Sequence, residues 1–218
     1  MKVTLIQPTH HATQLILYFA GWGTTPQAVK HLALPQNTDL AICYDYQDFQ
    51  FPLDLSQYQQ IHLVAWSMGV WVAERVMQNI PVQQAIAING TPLPMHDQYG
   101  IPVSVFNATL QQLSENSRNK FELRMCQSKA LYQQYQQLAD PRSLNNIQQE
   151  LQWLHQQLNA DQRHDLIHWD RAIIGEQDKI FPVTNLQQYW QPRCPISTYA
   201  IPHYPFAHFS HWEQLLCP

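Results

Sequence analysis

Charge is what this sequence has least of. Lys, Arg, Asp and Glu make up 13% of its 218 residues, against about 25% in an average soluble chain. Glutamine takes their place over the middle of the chain. The formal net charge of −4 argues against the basic surface that general nucleic-acid binding needs. The four cysteines, Cys43, Cys126, Cys194 and Cys217, are scattered with no C-x-x-C and no pairing pattern. They suit a reducing compartment, with Cys43 a small apolar core residue. No apolar run is long enough to span a bilayer. Met1-Lys2 leads into a short strand and Pro8 rather than into the apolar stretch of a secretory signal. The expectation is a soluble, cytoplasmic, monomeric protein that binds neither nucleic acid nor membrane. Its length suits one large domain, or one core with an inserted subdomain.

Short apolar runs are present at regular intervals. Val3–Ile6, Leu15–Ala20, Leu40–Tyr44, Ile61–Trp66, Ala85–Ile88, Ala172–Ile174 and Ser197–Ile201 read as strands, several closed by Gly, Asp, Asn or Pro. They are too continuous to be half-exposed and fit a mostly parallel sheet covered on both faces. The segments between Thr24 and Leu40 and between Asp45 and Gln60 lack helical spacing, and Pro26, Pro35 and Pro52 interrupt them. Reduced flanking helices are therefore expected. From Phe106 the texture turns helical, with Leu110, Leu113, Phe121, Met125 and Leu131 to Leu138 at helical spacing until Pro141. A second helix follows from Ser143, with Ile147, Leu151, Leu154 and Leu158 as its apolar stripe. This predicts a core of residues 1–105 and 169–218 with a helical lid at 106–168.

The period switches from strand to helix at Ser67, inside Ile61-His62-Leu63-Val64-Ala65-Trp66-Ser67-Met68-Gly69-Val70. A serine on a sharp strand-to-helix turn is the nucleophile elbow of an α/β-hydrolase, usually written G-x-S-x-G. Gly69 meets one of its small-residue positions; Ala65 stands where glycine is commoner. In the helix that follows, Val72, Val76 and Ile80 should face one side and Glu74 and Arg75 the other. The plainer role for Ser67 is to cap that helix.

A serine hydroxyl needs a base within hydrogen-bond reach, itself oriented by a carboxylate. In this fold the partners follow in the order Ser, Asp, His, from loops at one edge of the sheet. Asp178 and His203 each lie just past an apolar strand and satisfy that order. His208 and His211 compete for the base role, and Asp140 for the acid. A zinc site made of the three late histidines matches no known short spacing. The oxyanion donors should be the amides of Met68 and of Trp22, in the Gly21-Trp22-Gly23 loop after the second strand. The plainer role for its glycines is a turn, but the loop lies where the fold needs the oxyanion hole.

Phe19-Ala20-Gly21-Trp22-Gly23, Ala65-Trp66-Ser67-Met68-Gly69-Val70 and His203-Tyr204-Pro205-Phe206 together resemble the BioG-type pimeloyl-[acyl carrier protein] methyl ester esterases, and more distantly the BioH type. The resemblance implies an α/β-hydrolase that removes the methyl ester from pimeloyl-acyl carrier protein in biotin synthesis. Ser67, Asp178 and His203 would be its catalytic residues, and no cofactor is needed. Trp22, Trp66 and Met68 would then bind the acyl chain. The carrier protein is strongly acidic, and Arg118, Lys120, Arg124, Lys129 and Arg142 gather in the expected lid as a docking set, unless they are only a solvated helix face. A general short-chain carboxylesterase, an acyl thioesterase and a non-catalytic hydrolase-fold binding module remain as alternatives.

Overall fold

The structure is a computed structural model that describes residues 1–8, 11–138 and 142–217. The apolar runs form the strands β1 (Lys2–Ile6), β2 (Gln14–Phe19), β3 (Thr38–Tyr44), β4 (Gln60–Trp66), β5 (Gln84–Ile88), β6 (Arg171–Gly175) and β7 (Ile196–Tyr199). Among the described residues they make one seven-stranded sheet in the order β1-β3-β2-β4-β5-β6-β7. Only β1 runs antiparallel, along β3; the other pairings are parallel. Central strands β2, β4 and β5 are buried almost throughout, as continuous Val, Ile, Leu and Ala runs in a doubly covered sheet should be.

Helix cover is sparse where the proline-broken segments predicted it to be. A single 3-10 turn, Pro26–Val29, lies between β2 and β3, and no helix lies between β3 and β4. Helix α1 (Met68–Met77) follows β4. Helices α2 (Val103–Gln111), α3 (Glu115–Cys126), α4 (Lys129–Leu138) and α5 (Leu144–Ala160) are all inserted between β5 and β6. Helix α6 (Val183–Trp190) joins β6 to β7, and α7 (Glu213–Leu216) ends the fold.

Two local expectations change. The helical run from Phe106 to Leu138 is three helices. Ser114 and Ser117 cap each other's backbone and restart the chain as α3, and a left-handed Gln127 ends it. Short polar side chains that bond to nearby backbone divide a helix in this way. The second change is Glu74, which is fully buried instead of facing solvent. Helix α1 is covered on its outer side as well, where the Trp169 indole donates to Glu74 Oε1 at 3.0 Å. Val72 is buried, while Val76 and Ile80 are only half-buried. Helix α5 follows its predicted stripe: Ser143 caps it, and Ile147, Leu151, Leu154 and Leu158 are buried.

Candidate active site

The chain crosses from one side of the sheet to the other between β2 and β4: β3 lies beyond β2, and β4 returns on its opposite edge. The loops leaving such a switch point diverge and open a crevice at the carboxyl ends of the strands. Ser67 leaves β4 there, with φ 57° and ψ −126°, a left-handed conformation that costs a non-glycine residue about 1–3 kcal/mol. Its neighbours must be small for this to hold. A Cβ on Gly69 would sit 2.3 Å from the Phe19 carbonyl oxygen, and one on Gly90 would sit 2.3 Å from the Ser67 carbonyl oxygen. Ala65 instead lies within β4, and its methyl group is accommodated with no exposure.

Ser67 does not cap α1 with its side chain. Its hydroxyl oxygen lies 3.0 Å from His203 Nε2, and His203 Nδ1 lies 2.7 Å from Asp178 Oδ2. A carboxylate can only accept, so Nδ1 carries the proton and Nε2 is the acceptor facing the serine. The other carboxylate oxygen, Asp178 Oδ1, receives the amides of Ile180 at 2.7 Å and Phe181 at 3.0 Å. All three side chains are buried. Phe181 stacks on the imidazole at 5.9 Å and 10°. His208 and His211 are exposed, and His211 is bonded to Ser210. Asp140 lies outside the described residues.

The sequence reading missed Asn89. At the end of β5 and with φ 45°, it donates through Nδ2 to the carbonyls of Pro202 and His203, both at 3.0 Å, and accepts the Gly175 amide at 2.7 Å. One side chain thus ties the loop bearing His203 to the strand end that launches Asp178. The Trp66 indole donates to the His203 carbonyl as well, at 2.8 Å. An asparagine after an apolar strand reads as a turn residue, so nothing in the local pattern marks this bridging role.

The loop Gly21-Trp22-Gly23 packs against the serine: a Cβ on Gly21 would meet the Trp66 ring at 2.9 Å and Ser67 Cβ at 3.3 Å. Among the described residues, the backbone amides of Trp22 and Met68 donate to no protein acceptor. Trp22, Met68, Phe106, Phe121, Met125 and Ile180 are among the lining residues of a narrow cavity of about 50 Å³ over Ser67. It continues between α2 and α3 into an open groove of about 510 Å³ bordered by Ser104, Gln112, Lys120 and Arg124.

The five cations of the expected docking set do not share one face. Lys120, Arg124 and Lys129 are exposed. Arg118 is 13% exposed and bonded to Glu122 and to the Arg142 carbonyl. Arg142 leaves the set: its side chain is 8% exposed and its guanidinium binds Asp45 and Glu150. A cation in a helical insertion can serve the protein's own carboxylates as readily as a partner's, and only the fold separates the two. Lys179, next to Asp178, borders the cavity instead.

This sheet, with its serine, aspartate and histidine in that chain order at three strand ends, is that of an α/β-hydrolase. Residues 1–215 match the family described as pimeloyl-ACP methyl esterase BioG, and the chain belongs to that family. The crystal structure of BioG from Haemophilus influenzae is similar at a TM-score of 0.95 and 51% identity, over 99% of each chain. A malonyl-[acyl-carrier protein] O-methyltransferase of Bacteroides fragilis is 43% identical over 195 residues, which are 88% of this chain and 39% of that protein. An esterase from Exiguobacterium antarcticum shares the fold alone, at 14% identity and a TM-score of 0.65 over 92% of this chain and 87% of its own. The protein is a carboxylic ester hydrolase with an esterase role in biotin synthesis. Among the described residues, no helix is long and apolar enough to cross a membrane.

Proposed function

We propose that the protein is a serine esterase that cleaves the methyl ester of pimeloyl-[acyl carrier protein] methyl ester, with residues 1–105 and 169–218 as its catalytic core and 106–168 as a lid. The observation that carries the mechanism is the unbroken line of contacts from Asp178 through His203 to Ser67 beneath an apolar cavity. In this mechanism Ser67 Oγ attacks the ester carbonyl carbon while His203 Nε2 takes its proton. Asp178 steadies the imidazolium, and the Trp22 and Met68 amides receive the oxyanion. His203 returns the proton to the leaving oxygen, which departs as methanol. Water, deprotonated by His203, then attacks the acyl-enzyme, releasing the free acid and restoring the Ser67 hydroxyl.

The substrate assignment is supported by the family match and by chemistry. Apolar Trp22, Trp66 and Met68 border the serine and suit an aliphatic acyl chain. A similar sequence lies within a protein named as a methyltransferase acting on a carrier-linked acid, and an esterase is the counterpart that removes such a methyl group. The outer groove runs past Lys120 and Arg124, a positive border for an acidic carrier protein. With methyl-pimeloyl carrier protein and p-nitrophenyl butyrate as substrates, Ser67→Ala should stop both reactions and labelling by a serine-directed phosphonate. Lys120→Glu should lower kcat/KM for the carrier-linked ester about tenfold at low salt and leave the small ester within about twofold. Equal activity on both esters, unaffected by Lys120→Glu, would replace the carrier-linked assignment with a general carboxylesterase.

A further inference from the structure

A fully buried carboxylate of the helical insertion lies beside the oxyanion loop. Glu150, on α5, has no exposed surface. Its Oε2 receives the Gly23 amide at 3.0 Å and Arg142 Nη1 at 2.7 Å, and its Oε1 receives the Tyr46 amide at 2.9 Å. One turn earlier on α5, the Ile147 carbonyl accepts the Trp22 indole N–H at 2.8 Å. Helix α5 therefore grips the Gly21–Thr24 turn twice, by backbone and by side chain.

The rest of that turn is also anchored. Thr24 Oγ1 donates to the Gly21 carbonyl at 2.7 Å. The Gly21–Trp22 peptide is trans, so its N–H points away from the carbonyl that Thr24 holds. Gly23 has φ +74°, a conformation whose flexibility would otherwise let the turn swing. With the Gly21 carbonyl and the Gly23 amide both held, the Trp22 amide between them has one orientation.

We infer that Glu150 is a positioning residue for the oxyanion hole, its carboxylate fixing the Gly23 amide and through it the direction of the Trp22 N–H. This rests on the serine-esterase reading above. A buried carboxylate that only clamped the insertion to the core would affect stability alone. One that aims an oxyanion donor affects the transition state, because that donor meets negative charge only when the tetrahedral adduct forms.

The variants separate the two roles. Glu150→Asp keeps the charge Arg142 requires but withdraws it from Gly23 by one methylene. The pair Arg142→Met/Glu150→Leu removes the acceptor and leaves no unpaired charge. Either should lower kcat for p-nitrophenyl butyrate about 10- to 100-fold with KM within threefold, below the roughly 100- to 1,000-fold expected for losing the donor outright. Binding of a trifluoromethyl ketone, which forms a tetrahedral adduct on the serine, should weaken by the same factor. Glu150→Gln provides the rescue: its amide oxygen can face the two donors Gly23 and Arg142, and its NH₂ gives up only the Tyr46 amide, which lies outside the Gly21–Thr24 turn. Its kcat should therefore stay within about fivefold of wild type while Tm falls. Asp45→Asn loosens Arg142 without touching Gly23, and should lower Tm while kcat holds. Should the neutral pair not fold, Glu150→Asp decides. A folded Glu150→Asp with kcat and ketone affinity within twofold of wild type, or a Glu150→Gln as slow as Glu150→Asp, overturns the inference. Hydrolysis surviving in Ser67→Ala would instead overturn the reading beneath it.

Discussion

Asp178→Asn is the sharpest test of the mechanism, because the site allows its outcome to be worked through atom by atom. One carboxylate oxygen accepts two backbone amides, from Ile180 and Phe181, and the other faces His203 Nδ1 at 2.7 Å. An asparagine has a single oxygen. The two amides are fixed donors, so the oxygen turns to them and the NH₂ group is left against Nδ1. Nδ1 must then accept, which moves the imidazole proton to Nε2, where it faces Ser67 and blocks proton transfer from the hydroxyl. The geometry stays intact while the tautomer inverts. A loss of about 10⁴ in kcat is expected from such an inversion, about 5 kcal/mol of transition-state stabilisation. Steady-state hydrolysis of the methyl ester measures it, with urea unfolding to show that stability changes little. A folded Asp178→Asn within tenfold of wild-type kcat would refute the proton path through His203.

Further outcomes follow from packing and burial. Gly69→Ala places a Cβ 2.3 Å and 2.6 Å from the carbonyl oxygens of Phe19 and Ala20. Neither backbone can retreat without opening β2, so urea unfolding should show a loss of about 3 kcal/mol or more; a loss below 1 kcal/mol would show that the elbow is looser than drawn. Glu74 is fully buried, with one carboxylate oxygen unpartnered among the described residues. Burial raises its pKa to about 7 from 4.5, against the opposing Trp169 bond and Arg75 charge. Between those values the folded chain holds a proton the unfolded chain lacks, so this contribution is whole below pH 4.5 and lost as pH rises through 7. It amounts to about 3 kcal/mol. Glu74→Gln should therefore raise Tm by several degrees at pH 8 and not at pH 5; an equal Tm change at both pH values would contradict the buried-charge account.

Much of the molecule was legible in one dimension, and the failures have physical causes. Strand runs were readable because a doubly covered sheet admits only apolar residues, and the elbow because its turn tolerates few sequences. Glu74 was misread because helical periodicity assumes one wet face, and Trp169, far along the chain, covers that face. Arg142 looked like a surface cation because its partners Asp45 and Glu150 are 97 and 8 residues away, and only one of those separations is local. Asn89 and Glu150 gave no signal, since each acts through backbone groups of distant loops.

The amino-acid sequence alone determined the sheet, the turn at Ser67 and the chain order of serine, acid and base, since these follow from local pattern and residue type. Tertiary structure alone decided which loops meet: Asn89 joins the strand end before Asp178 to the loop of His203, and α5 grips the Gly21–Thr24 turn. It also decided which charges are consumed inside the protein and which face a partner. Those outcomes depend on distances between residues remote in the chain, and such distances exist only once the sheet order is set.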